Sequence, residues 1–389
     1  MKIGIDKIGF YTPHLYLDMN KLAIARNEDP AKYTIGIGQE EMAVNPITQD
    51  AVTLAANAAL EILDDEDKEK IDLVIFATET GIDHSKAGAV YVHQLLGINP
   101  NARAIEMKEA CYAATAGVQL AKGHIALNPE SKVLVLGSDI SRYGLNTAGE
   151  VTQGSGAVAL LISANPRILS LEDKSAYYTE DIMDFWRPVY SDVAFVKSKY
   201  SNEQYIAFFQ KVWKQFQEKT GFDLNDLEAI CFHMPYTKMG IKAMRTILDE
   251  TTEETKDRIL SHYEASKTYN KRVGNIYTGS LYLSLLSLLE NGSVEAGSRI
   301  GLFSYGSGAV GEFFSGILEP DYQEVLLRDQ HHQLLDARKE VSVEEYEEIF
   351  SQTLPEDGST VSLPIEEDPA PICLAGIKEH ERQYVNKIR

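Results

Sequence analysis

Gly154-Ser155-Gly156-Ala157-Val158 returns 152 residues later as Gly306-Ser307-Gly308-Ala309-Val310. Five residues of small, common types read equally well as two unrelated glycine turns, so the context has to decide. Before the first copy, Ile71 to Thr78 and Lys132 to Ser138 are continuous apolar runs of buried-strand length. Between them, Cys111 to Ala126 is rich in alanine, with Val118, Leu120 and Ile125, and reads as a buried helix. Asp50 to Leu63 places Val52, Ala55, Ala56, Ala59 and Leu63 on one helical face. Before the second copy, Ala229 to His233 and Arg299 to Ser304 read as strands, and Thr278 to Leu289 as an apolar helix. Strand, helix, strand in both halves predicts two related α/β units with largely parallel sheets.

Length agrees with a double unit. The 389 residues exceed the roughly 250–300 at which one core stops growing. Residues 171–220, crowded with aromatics, and residues 319–389 read as insertions or appendages. The net charge is −21, a field that repels nucleic acid and anionic membrane surfaces. Residues 319–389 carry 17 acidic and 7 basic side chains, about half of the excess. Glu344 to Glu348 reads there as an exposed helix, and the segment as solvated surface. The longest uncharged run, Val273 to Leu289, has 17 residues and contains glycine, asparagine and serine, short of the ~20 apolar residues that span a bilayer. The first residues lack an apolar signal core. Three cysteines, Cys111, Cys231 and Cys373, are too few for a disulfide framework and suit a reduced, cytoplasmic setting.

Four positions carry candidate chemistry. Cys111 stands where a polar segment turns into the alanine-rich helix, and a helix N-terminus favours a thiolate. A packing cysteine is the commoner fate of a lone one. His233 closes a strand before Pro235, at the end where α/β proteins bind ligands; a satisfied core histidine is the alternative. Asn275 sits between Gly274 and a small-residue helix, where it could equally be a cap. Glu79 follows an apolar strand directly, or is an exposed loop acid. Lys238, Lys242 and Arg245 recur at helical spacing and share one face, either a phosphate patch or a solvated basic stripe.

Longer runs around these residues resemble the hydroxymethylglutaryl-CoA synthase family, in its shorter bacterial form. They are Lys32 to Gln39, Glu79, Lys108-Glu109-Ala110-Cys111-Tyr112, Asp184 to Pro188, His233 to Met239, Gly274 to Tyr282 and Ser304 to Gly308. The resemblance covers about residues 2–325. It implies a thiolase-like fold, two similar halves (1–167 and 168–389) stacked as αβαβα layers, and a homodimer. The implied reaction joins acetyl-CoA to acetoacetyl-CoA and water, giving 3-hydroxy-3-methylglutaryl-CoA and CoA for the mevalonate route to isoprenoids. Cys111 would be the nucleophile, Glu79 the base and His233 the partner of the ketone oxygen, with backbone N–H groups of Cys111 and near Ser307 as oxyanion hole. Asp29, Pro30, Thr152, Ser201, Lys238, Lys242, Asn275 and Ser307 would contact substrate, with Asn146 a lesser candidate. No cofactor or metal is implied. A ketoacyl-synthase-like enzyme would share the Cys-His-Asn set without needing Glu79. A polyketide β-branching synthase would take substrate from a carrier protein, and an acyl-CoA-binding protein would form no covalent adduct.

Overall fold

The computed structural model describes residues 1–388. Its first half runs β1 (Ile3–Tyr11), β2 (Leu15–Asp18), α1 (Met19–Ala25), β3 (Glu41–Val44), α2 (Ala51–Leu60), α3 (Asp65–Lys70) and β4 (Ile71–Ala77). It continues with α4 (Gly88–Leu96), β5 (Arg103–Met107), α5 (Ala113–Leu127), β6 (Lys132–Ile140) and β7 (Ser155–Ala164). The second half runs β8 (Leu169–Leu171), β9 (Ala176–Thr179), β10 (Phe185–Trp186), β11 (Phe195–Val196), α6 (Ser198–Thr220), β12 (Ala229–Phe232) and α7 (Met239–Met244). Then come α8 (Glu253–Ser266), α9 (Asn270–Val273), α10 (Ser280–Asn291), β13 (Arg299–Gly306) and β14 (Val310–Leu318). The C-terminal segment adds α11 (Arg328–Asp336), β15 (Lys339–Glu340), α12 (Val343–Ser351), β16 (Val361–Ser362), β17 (Ile372–Lys378) and β18 (Glu381–Asn386).

The two halves repeat one pairing pattern. In the first, β1 runs antiparallel to β7, β7 antiparallel to β6, and β6 parallel to β4. In the second, β8 runs antiparallel to β14, β14 antiparallel to β13, and β13 parallel to β12. The recurring glycine runs fall at the same place in both, leading into β7 and β14. The halves meet where β1 pairs with β8, which makes a continuous ten-stranded sheet.

Side-chain alternation divides this sheet between layers. Ile75, Val133 and Val135 point to the central helices α5 and α10, and so do Cys231, Ile300 and Leu302 from the second half. Val74, Phe76, Leu134 and Leu136 point the other way, onto α2 and α4. Ile230, Phe232, Phe303 and Phe313 face an outer layer of α6, α7 and α8. The result is helices, the strands of the first half, the central helix pair, the strands of the second half, and helices again. Continuous apolar strands are required because both faces are covered. Gly117 of α5 allows close approach to the sheet, since a Cβ there would lie 3.1 Å from both Ile75 and Val135.

Two expectations change. Within 171–220, the aromatic run is no appendage: α6 buries Tyr205, Phe208, Phe209, Val212, Trp213 and Phe216 as the outer layer itself. Only the β10–β11 hairpin forms a sheet of its own. The C-terminal segment is not simply solvated surface either. Ala370, Ile372 and Cys373 join the core beside α2, where Asn57 exchanges a pair of amide hydrogen bonds with Ile372. Helix α12 does expose Glu344, Glu345 and Glu348, yet it buries Tyr346. Among the described residues, no helix is long and apolar enough to cross a membrane.

Candidate active site

Cys111 lies in the short loop between β5 and α5, two residues before the helix begins. Ala110 before it takes a left-handed φ of 42°, uncommon for a residue with a Cβ. The loop is held from the other half of the molecule. Gly306, at the end of β13, sits so close that a Cβ would lie 2.6 Å from the Glu109 carbonyl and 2.7 Å from the Tyr112 amide. The first glycine run does the converse: a Cβ at Gly154 would lie 2.7 Å from the backbone of Val273 and Asn275. Each repeat thus lets its own half receive the other half's functional loop.

The Cys111 Sγ donates to Glu79 Oε1 at 3.1 Å. Glu79 is aimed by Asp139 of β6, which is buried. One Asp139 oxygen accepts from the Glu79 N–H at 2.7 Å, the Thr80 N–H at 3.0 Å and both threonine hydroxyls, Thr78 at 2.9 Å and Thr80 at 2.8 Å. Its other oxygen accepts from the Thr278 hydroxyl at 2.6 Å, so one carboxylate ties the Glu79 loop to the Asn275 run. Arg187 donates to the Glu79 carbonyl.

Burial, then the negative charge of Asp139, pushes Glu79 up to about 8. Burial and the adjacent Glu79 push the Cys111 thiol well above its usual value. This corrects the expectation of a helix-stabilised thiolate. The thiol is 9% exposed and faces a carboxylate, and those two effects outweigh the helix end. The thiol therefore keeps its proton and donates it to Glu79, which is a carboxylate only above about 8, and there is no free thiolate. Burial lowers His233 to about 3, so its imidazole is neutral.

His233 stands just past β12, with its N–H donating to Phe303 at 2.8 Å and its carbonyl accepting from Tyr205 at 2.6 Å. Its Nδ1 is buried and has no hydrogen-bond partner among the described residues. Asn275 Oδ1 accepts from the Tyr277 N–H at 2.9 Å and the Ser280 hydroxyl at 3.0 Å. It caps the turn that leads into α10, and that turn delivers Tyr277. Tyr277, Phe185 and Tyr143 pack edge to face beside Cys111, with ring centroids 5.7–6.2 Å apart. Asp184, fully buried, accepts from the Ser201 hydroxyl at 3.1 Å, the Tyr305 hydroxyl at 2.9 Å and the Gly308 N–H at 2.9 Å. Ser201 and the Gly308 amide, which follows Ser307, thus share one anchor, next to the Gly306 contact with the Cys111 loop.

The remaining candidates sit farther out. Lys238, Lys242, Arg245 and Lys267 line an open cleft of about 680 Å³ together with Gly36, Asp257 and Glu264. Helical spacing does bring the three basic residues to one face. The segment Lys32–Ile37 lines this cleft with Gly36, and just past it Gly38 (φ 86°) has a carbonyl that accepts from Thr237 at 2.5 Å. Pro30 opens that segment, its carbonyl accepting from Thr34 at 3.0 Å, and Asp29 caps Ala31 at 2.9 Å. Asp29 is exposed and Pro30 half-buried. The Thr152 carbonyl accepts from the Asn275 N–H at 3.2 Å. Asn146 is on an exposed turn with φ 57° and donates its N–H to Glu150 at 3.0 Å.

Sequence reasoning did not single out Asp139, Tyr143 or Tyr277, and gave no role to Asp184 or Arg187. A signal existed for Asp139, an acid at the end of an otherwise apolar strand. Asp184 stood in the resembling run Asp184 to Pro188 without a role of its own, and Tyr143, whose ring partners Phe185 and Tyr277 are far along the chain, left no signal.

Comparison with known proteins supports the same reading. A family model for the N-terminal part of hydroxymethylglutaryl-coenzyme A synthase matches residues 1–167, and its C-terminal counterpart matches 243–356. The chain is 54% identical over 387 residues to a hydroxymethylglutaryl-CoA synthase of Enterococcus faecalis, covering 99% of this chain and all of the relative. It is 32% identical to a polyketide-biosynthesis 3-hydroxy-3-methylglutaryl-ACP synthase of Bacillus subtilis, covering 99% and 96%. A crystal structure of an HMG-CoA synthase complexed with CoA superposes with a TM-score of 0.97 at 47% identity, over 99% of this chain and all of that one. A chain paired by reciprocal glycine contacts, with a cysteine and a buried glutamate in hydrogen-bond contact and full-length kinship of this kind, belongs to the hydroxymethylglutaryl-coenzyme A synthase family.

Proposed function

We propose that this enzyme condenses acetyl-CoA with acetoacetyl-CoA and water, giving 3-hydroxy-3-methylglutaryl-CoA and CoA, as a step of the mevalonate route to isoprenoids. The observation that carries the reading is the 3.1 Å contact between Cys111 and Glu79. A ketoacyl-synthase-like condensation would not need an acid there.

Cys111 gives its proton to Glu79 as sulfur attacks the acetyl carbonyl, and the proton passes out with the departing CoA thiol. One thioester replaces another, so the step costs little free energy. Glu79, again a carboxylate, then takes a proton from the acetyl methyl group. A base held near neutrality suits that weak carbon acid. The new carbon–carbon bond forms at the ketone of acetoacetyl-CoA, whose oxygen becomes an alkoxide. Neutral His233 donates a hydrogen bond to that oxygen. The proton held on Glu79 balances the one the alkoxide needs. Water cleaves the enzyme thioester, its hydroxyl going to the acyl carbon and its proton to the sulfur. Backbone N–H groups of Cys111 and near Ser307 would form the oxyanion hole for the thioester oxygen. Asp29, Pro30, Thr152, Ser201, Lys238, Lys242, Asn275 and Ser307 bind the CoA thioesters along the cleft, and no resident cofactor takes part.

Mass spectrometry of the intact enzyme after acetyl-CoA tests the chemistry. We expect one acetyl gain, lost in Cys111→Ser. Glu79→Ala should still acetylate, more slowly because the acceptor of the Cys111 proton is gone, while carbon–carbon bond formation falls by on the order of 10²–10⁴-fold. Normal condensation in Glu79→Ala would remove Glu79 as base.

A cytoplasmic homodimer is part of the same reading. Strand β5 is a sheet edge paired only with β4 among the described residues, and its Ile105 is 42% exposed. An uncovered apolar edge invites a second copy. Ile105→Lys should shift the sedimenting species to half the mass.

A further inference from the structure

We infer that Tyr346, on the C-terminal helix α12, is a positioning residue for the Cys111 cavity, acting through Gln153 on the wall formed by Tyr143. The inference rests on the assignment of Cys111 and Glu79 above.

Gln153 and Tyr346 are each 3% exposed, so their polar atoms depend on protein partners. Gln153 Oε1 accepts from two successive backbone amides, Tyr143 at 2.7 Å and Gly144 at 3.2 Å. Its Nε2 donates to the Tyr346 hydroxyl at 2.8 Å. That hydroxyl donates in turn to Glu150 Oε1 at 3.2 Å. Glu150 Oε2 accepts from the Asn146 N–H at 3.0 Å, and Arg26 pairs with Glu150 at 2.7 Å. One phenol therefore holds both ends of the 143–150 loop.

A second tether runs to the same loop. Arg142 donates to the Phe350 carbonyl at 2.7 Å and lies 3.9 Å over the Phe350 ring. Residue 143 follows at once, and its ring packs on Phe185 and Tyr277 beside Cys111. Thr152, at the far end of the loop, accepts from Asn275. The C-terminal segment thus reaches the reaction cavity without touching any reacting atom.

Tyr346→Phe keeps the ring and removes only the hydroxyl. It strands the Gln153 amide and leaves Glu150 one donor short in a buried place. Losing such a hydrogen bond changes the local opening equilibrium by about five- to tenfold. Hydrogen exchange at the Tyr143 and Gly144 amides reads that change directly. Alkylation of Cys111 by iodoacetamide across pH reads its effect on the cavity. We expect the two amides in Tyr346→Phe to exchange about five- to tenfold faster. We also expect the alkylation profile to move to lower pH, because admitted water relieves the burial of the thiol. Ile349→Ala, which trims the packing of α12 and leaves the phenol in place, should lower the melting temperature and leave both profiles as in the wild type. Wild-type profiles in Tyr346→Phe overturn the inference, and so do equal shifts in Ile349→Ala. Acetylation of wild-type Cys111, measured in parallel, separates the two readings: its absence removes the proposed function, while the amide exchange still decides the role of Tyr346.

Discussion

Glu79 is a carboxyl that the fold holds at a cost. Its pKa rises from 4.5 to about 8 on folding, first through burial and then through Asp139. The folded chain therefore binds more protons than the unfolded chain between those values, and stability declines as pH rises through that window. Glu79→Gln removes the ionisation and keeps an acceptor for the Cys111 thiol. The variant should match the wild type near pH 4.5 and exceed it by about 4 kcal/mol at pH 8. Thermal melts across that range check this, and a gap that shrinks with pH contradicts it. The acid limb of the condensation rate should likewise have its midpoint near 8 in the wild type. The burial that weakens the fold is what makes the carboxylate basic enough to take a carbon-bound proton.

Among the elements, α7 is six residues long, yet it carries the charge that the cleft needs. Lys242 is exposed, and its ammonium is held by the Tyr236 hydroxyl at 2.8 Å. Arg245 is equally exposed at the helix end. Such charges act on CoA phosphates through solvent, so their effect fades at high salt. Lys242→Ala combined with Arg245→Ala should weaken CoA binding about tenfold at low ionic strength. It should also flatten the salt dependence seen in the wild type. Calorimetric titration at two salt concentrations tells the outcomes apart; an unchanged wild-type affinity would mean that the patch does not reach the ligand. The overall charge of −21 does not contradict this, because α12 and its neighbours carry much of it away from the cleft.

At the level of the whole molecule, buried ion pairs join distant pieces of chain. His331 of α11 is fully buried and pairs with Glu290 of α10 at 2.8 Å and with Glu61, just past α2, at 3.6 Å. Burial alone would lower its pKa, but hydrogen bonds to the Glu290 and Glu61 carboxylates outweigh it and raise the imidazole from 6.5 to about 9. A raised histidine stabilises fully below 6.5 and loses that contribution as pH climbs to 9. His331→Asn should cost most stability at pH 6.5, on the order of 1–3 kcal/mol, and progressively less toward pH 9. Chemical denaturation at both pH values measures this; a cost that grows with pH would falsify the assignment.

The amino-acid sequence by itself determined the layers and most of the chemistry. Ile71 to Thr78 and Lys132 to Ser138 are apolar on both faces, which only a strand covered by helices tolerates. Cys111, His233, Asn275 and Glu79 stand at strand ends and helix starts, where local pattern shows them. The duplicated glycine run disclosed two halves. The tertiary structure alone decided what those glycines do, because each makes room for a loop from the opposite half, about 120–195 residues away. It also decided that α6 is a layer and that Ile372 belongs to the core. Asp139 and Asp184 emerged as anchors only there, since their partners are scattered along the chain. The protonation of Cys111 was settled there too. A helix end is legible in sequence, but burial and a carboxylate at 3.1 Å are properties of packing, and in a desolvated site they dominate.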